Sequence, residues 1–82
     1  MARLRLFASA REAAGTARDV VDGATVAEVL AAAEQRYGQG FTDVLATSRI
    51  WVNGEPADPG AAVAEKDEVA VLPPVSGGAA PG

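Results

Sequence analysis

The chain contains no cysteine and no histidine. That removes a thiolate nucleophile, the best metal ligands, and the side chain that does most acid–base work near neutral pH. The expectation is a chain that is not an enzyme on its own. The residues that stand out lie at the end, where Pro73-Pro74 precedes Val75-Ser76-Gly77-Gly78-Ala79-Ala80-Pro81-Gly82. Two prolines remove two backbone donors and favour an extended path. From Val75 onward nothing can anchor to a core, so a flexible tail over 75–82 is predicted on a domain spanning 1–74. By itself Gly77-Gly78 is a weak motif that reads first as an ordinary flexible end. Other polar or aromatic residues have plain structural readings. Asn53-Gly54 makes a tight turn, and Asp67-Glu68 and Lys66, the only lysine, are solvated charges. Trp51 belongs to the core or to partly covered surface.

The bulk numbers, beginning with a length of 82 residues, describe one small domain. Apolar residues are 49% of the chain but aromatics only 5%, so one alanine-rich core is expected. The net charge of −4 argues against nucleic acid and suits a partner with a basic surface. No apolar run approaches the ~20 residues of a membrane span. Met1-Ala2-Arg3-Leu4 does not open the apolar core of a signal peptide, so a cytoplasmic location is expected.

The elements that must carry the tail can be read from periodicity. Arg3-Leu4-Arg5-Leu6 alternates as a half-buried strand, with Phe7 and Ala8 extending it. Ser9 and Glu12 have capping-box spacing ahead of a short helix ended by Gly15. Residues 18–21 read as a second strand and Asp22-Gly23 as a turn. Thr25 and Glu28 form a second capping box. Behind it Val26, Val29, Leu30, Ala33 and Tyr37 make the apolar stripe of the main helix, which Gly38 stops. Gly40 keeps the chain irregular, and residues 41–45 make a short helical turn. Strands follow at 50–52 and 68–72, with a further one near 61–64. In the last strand Val69 and Val71 share one face, Ala70 and Leu72 the other. The pattern is α+β: a mixed sheet with one main helix packed on one face, its first and last strands parallel across the helical crossover.

Three blocks give the chain a resemblance to a known family. Phe7-Ala8-Ser9-Ala10-Arg11-Glu12 with Gly15, Val52-Asn53-Gly54-Glu55, and the run from Asp67 to Gly78 resemble, in sequence and spacing, the MoaD/ThiS ubiquitin-like sulfur carriers. Pro73-Pro74 makes the likeness closer to MoaD, the small subunit of molybdopterin synthase. The resemblance spans residues 2–78. It implies a ubiquitin-like β-grasp fold and a tail whose terminal Gly78 carboxylate is adenylated, then converted to a thiocarboxylate that donates sulfur. ATP is used by the activating partner, and the chain itself binds no cofactor or metal. The implied partners are a ubiquitin-activating-type adenylyltransferase/sulfurtransferase and an acceptor such as the molybdopterin synthase large subunit. The glycines fit this role, because a tail without side chains can thread a narrow channel and let an enzyme approach its carbonyl. Phe7, Leu72, Pro73, Pro74 and Val75 at the base of the tail are expected to form an apolar docking patch, with Gly77 and Gly78 as the working residues.

The sequence departs from the family at one point. Ala79-Ala80-Pro81-Gly82 follow Gly78, whose carboxyl group is therefore in a peptide bond. The expected remedy is a processing peptidase that cuts after Gly78; an extension that is tolerated, or that disables the tail, is the competing reading. A ubiquitin-like protein modifier, joined through Gly78 to lysine on a target, would use the same tail. A plain interaction module with an inert tail would not use it.

Overall fold

In a computed structural model, residues 1–74 are described. The elements in chain order are β1 (Ala2–Leu6), α1 (Ala8–Ala14), β2 (Arg18–Val21), α2 (Val26–Tyr37), α3 (Gln39–Leu45), β3 (Arg49–Val52), β4 (Glu55–Pro56) and β5 (Glu68–Leu72). They form a five-stranded sheet in the order β2-β1-β5-β3-β4. β1 and β5 run parallel, with Leu4 opposite Val69 and Leu6 opposite Val71; the other neighbours are antiparallel. This mixed sheet with helices is the ubiquitin-like β-grasp that the sequence predicts.

Period-two alternation sorts the sheet into two faces. Ala2, Leu4, Leu6, Val21, Val69 and Val71 point to the helical side and are buried there. Val26, Val29 and Ala33 of α2 complete the core from above, with Ala10, Phe41 and Val63. Phe41 is the largest fully buried side chain and meets Tyr37 edge-on at 5.2 Å. Its helix, α3, includes Gly40, which sequence reading left irregular. Packing of Phe41 decides the conformation there, overriding the weak helix propensity of glycine.

Three other local expectations change. β1 stops at Leu6, because the chain turns sharply at Ala8, whose φ is 50°. Phe7 becomes the N-cap of α1 and its carbonyl accepts from the Ala10 and Arg11 N–H groups. Ser9 consequently lies inside the helix, and no side-chain cap forms at its start. The Thr25 cap does form: Thr25 Oγ1 accepts from the Glu28 N–H at 3.2 Å, while Glu28 Oε1 accepts from the Ala24 N–H at 2.8 Å. Near residues 61–64 there is only an isolated bridge, Ala62 to Thr25, because this segment passes the start of α2 instead of joining the sheet.

At the outer edge, β2 has its outward backbone groups occupied by side chains. Thr16 Oγ1 accepts from the Arg18 N–H and donates to the Arg18 carbonyl; Asp19 Oδ1 accepts from the Val20 N–H, and Arg36 Nη1 donates to the Val20 carbonyl. Asp19 Oδ2 also accepts from Arg36 Nη1 at 2.8 Å and from the Tyr37 hydroxyl, clamping α2 to β2. The Tyr37 and Arg36 hydrogen bonds hold the Asp19 carboxyl below its ordinary range. Burial, reinforced by the bond to Asp19, pushes the Tyr37 hydroxyl up to about 12.

Candidate functional site

The last strand, β5, lies in the middle of the sheet. β5 is hydrogen-bonded on both sides, to β1 and to β3, and runs directly into Pro73-Pro74. Its start is pinned by a side-chain clasp. Asn53, held at φ 53°, donates from Nδ2 to Asp67 Oδ1 at 2.9 Å and accepts from the Glu68 N–H at 3.0 Å. Asp67 Oδ2 accepts from the Ala64 N–H at 2.8 Å; that bond, then the Asn53 amide, keeps the carboxyl below its usual range. Asn53-Gly54 is thus the turn that the sequence indicates, and Asp67 is part of the framework, not a merely solvated charge.

Around the tail's base the expected patch is partly assembled. Phe7 follows Leu6, which is in register with Val71, and its N–H donates to the Val71 carbonyl. It therefore stands on the face of the sheet away from the helices, 36% exposed. Leu72 is half-buried on the same face and Pro74 is exposed. Pro73 is a correction: it is buried, because it continues the Val69, Val71 alternation onto the helical side. Gly77, Gly78 and Val75 lie outside the described residues.

Sequence reasoning missed part of the neighbourhood. Thr47, Arg49 and Trp51 join Leu72, Pro73 and Pro74 around a shallow cleft of about 260 Å³. Arg49 is directly opposite Leu72, and Trp51 opposite Ala70. The i, i+2 spacing of Arg49 and Trp51 was a signal that they share a face, but the register that sets them beside Leu72 is not encoded locally.

This open face also reverses the sign of the whole chain. Arg3, Arg5, Arg18 and Arg49 stand on it, and of eleven acidic residues only Glu68 occupies one of its strand positions. Glu68 lies 3.9 Å from Arg5, a loose and exposed pair worth little. The Arg5 guanidinium also covers the Phe7 ring at 5.1 Å. Among the described residues no acidic cluster is arranged to hold a metal ion, and no helix is long and apolar enough to cross a membrane.

A β-grasp sheet whose central strand is followed in sequence by Pro73-Pro74 and a diglycine pair has the form of a ubiquitin-like carrier. The ThiS family model matches residues 4–78. The chain belongs to the ThiS family, within the ubiquitin-like sulfur carriers and modifiers. The crystal structure of SAMP1 from Haloferax volcanii is similar, with 35% identity over 90% of this chain and 94% of that one, and a TM-score of 0.76. The small archaeal modifier protein 1 of Methanosarcina acetivorans is 27% identical over 92% of this chain and 93% of that one, with a TM-score of 0.84. A putative molybdopterin converting factor subunit 1 from Pyrococcus furiosus is 25% identical, covers 90% and 97%, and has a TM-score of 0.76. Among curated proteins none matches the sequence.

Proposed function

We propose that this chain carries sulfur on the Gly78 carboxylate as a non-catalytic small subunit whose chemistry is done by partner enzymes. One observation carries the reading: the family match runs to Gly78, the second glycine of a segment that issues from the central strand of the sheet. In this reading a peptidase removes residues 79–82. An adenylyltransferase joins the freed carboxylate to AMP from ATP, releasing pyrophosphate. A sulfide equivalent then displaces AMP and leaves a thiocarboxylate. The acceptor we favour is the large subunit of a molybdopterin synthase, in molybdenum cofactor biosynthesis in the cytoplasm. Pro73-Pro74 and the resemblance to a molybdopterin converting factor subunit support that choice.

A thiazole, cysteine or secondary-metabolite pathway could draw on the same thiocarboxylate. The likeness to two proteins named as small archaeal modifiers favours a second reading, in which Gly78 is joined to lysine on a target.

Intact-protein mass spectra after incubation with source extract, ATP and sulfide test the proposal. Loss of residues 79–82 followed by exchange of one oxygen for sulfur supports it. A chain ending at Gly78 that gains no sulfur overturns it, and isopeptide-linked conjugates in the source cells establish the modifier role.

A further inference from the structure

Asn53 is the only asparagine in the chain, and Gly54 follows it. An asparagine amide is labile, because the backbone nitrogen of the next residue can attack its side-chain carbonyl carbon. Attack is easiest when that next residue is glycine, since no Cβ obstructs the closing ring. The turn leaves the route open here. Asn53 and Gly54 have φ of 53° and 82°, both are exposed, and a Cβ at Gly54 would meet nothing within 4 Å. Among the described residues no backbone carbonyl accepts from the Gly54 N–H.

The Asn53 side chain, by contrast, is held. Nδ2 donates to Asp67 Oδ1 at 2.9 Å, and Oδ1 accepts from the Glu68 N–H at 3.0 Å. Fixing the amide plane at both ends opposes the rotation that ring closure needs, so the clasp on β5 acts as a brake. The product destroys that brake. Exchange of NH2 for OH makes residue 53 an acid that is ionised at neutral pH. An oxygen anion then stands where a donor faced Asp67 Oδ1, and Asp67 is itself kept as a carboxylate by the Ala64 N–H at 2.8 Å. An attraction becomes a repulsion between two carboxylates with no proton between them. Where the ring opens to isoaspartate, a methylene also enters the backbone of a two-residue turn that pairs Val52 with Glu55.

We propose that Asn53 is a self-modification site, at which deamidation unclasps the start of β5 in one irreversible step. The Gly54 nitrogen bonds to Asn53 Cγ, the Cγ–Nδ2 bond breaks, and Nδ2 leaves as ammonia with the Gly54 proton. Water then cleaves one of the two imide C–N bonds, giving aspartate or isoaspartate. No oxidant, reductant or enzyme takes part. The inference goes beyond the carrier reading and does not rest on it.

The test follows the purified full chain in mildly alkaline buffer, well below its melting temperature. Intact mass records the exchange of NH2 for OH, and peptide mapping locates it. The expected result is conversion at residue 53, slower in the folded chain than in urea. Asp67→Asn offers one oxygen where the Asn53 and Ala64 donors need two, so the clasp loses a bond. Conversion at residue 53 should then run about tenfold faster than in the parent, the effect of losing one hydrogen bond to a charged group. Asn53→Asp reproduces one product and should melt about 5 °C or more below the parent at neutral pH. Adding Asp67→Asn to it sets donor against acceptor again and keeps an oxygen for the Ala64 N–H. The swapped pair should therefore return to within about 2 °C of the parent. A folded parent that never converts at residue 53, or that converts as fast as the chain in urea, overturns the proposal. So does an Asp67→Asn rate equal to the parent's. A swapped pair that melts no higher than Asn53→Asp alone also refutes it, because opposed carboxylates would then not be what opens the clasp.

Discussion

Gly23→Ala is expected to destabilise the domain severely without touching the tail. Gly23 lies where β2 gives way to α2, and a Cβ added there meets Val29, which is fully buried. The new carbon lies 2.6 Å from the Val29 backbone nitrogen, 2.6 Å from its Cγ2 and 2.9 Å from its Cα. Two of those three atoms are helix backbone, so a rotamer change cannot relieve the contact. Relief requires α2 to lift from the sheet, which loosens Val26, Val29 and Ala33 together. Overpacking of a close-packed core costs about 1–3 kcal/mol, and the rigid neighbour places this site near ~3. A domain of this length has roughly 4–12 kcal/mol in total, so the loss is a large share. At about 4–8 °C per kcal/mol, the midpoint should fall by roughly 12–24 °C. Thermal unfolding followed by far-ultraviolet circular dichroism, checked by urea midpoints, measures it. Below the transition, sulfur loading per folded molecule should equal the parent's. A fall of less than about 4 °C would mean that the junction yields easily, and the close approach of Gly23 to α2 would not be what fixes the helix on the sheet.

Leu72→Asp places a charge on the open face, where the residue is only half-buried. It should fold, with a cooperative melt, yet weaken binding to the activating enzyme; global unfolding would instead mark Leu72 as core. Phe41→Ala removes the largest fully buried side chain and should cost about 3–5 kcal/mol, read as a lowered urea midpoint with a native-like spectrum at low temperature. Stability should fall on both sides of neutrality. Asp19, held below its ordinary 3.8, stabilises the fold above that pH and ceases to do so as pH drops through its lowered folded value. Tyr37, raised from 10.0 to about 12, contributes fully below pH 10 and is lost as pH climbs to about 12. Urea midpoints against pH should show both limbs, and Tyr37→Phe should abolish the alkaline one and blunt the acid one. A Thr16→Val, Asp19→Ala double variant uncovers the outward backbone of β2, and light scattering should then report faster edge-to-edge association than the parent shows.

Much of this architecture is legible along the chain. The runs 18–21 and 68–72 match their strands residue for residue, because valines favour strand and Asp22-Gly23 and Pro73-Pro74 end the two runs, all local signals. The stripe of α2 and its Thr25 cap are equally local. The alternation of β5 carries Pro73 onto the helical side, yet a proline after a strand reads by habit as surface. The cap at Ser9 failed for a different reason. Its spacing was right, but the turn at Ala8 placed the start of the helix ahead of it. Phe41 drew only a short helical turn from sequence, since its importance comes from filling the space between α1, α2 and the sheet.

The sequence by itself determined the elements, the lack of cysteine and histidine, and the diglycine segment beyond Pro73-Pro74. It also determined a net charge, which pointed toward a basic partner. Only the tertiary structure decided where that charge lies. Strand order put β5 in the middle and register set Arg49 against Leu72 and Arg3 against Glu68, gathering four arginines on one face of an acidic protein. Pairing between strands distant in the chain depends on which faces the core can bury together, and no short window of sequence contains that information.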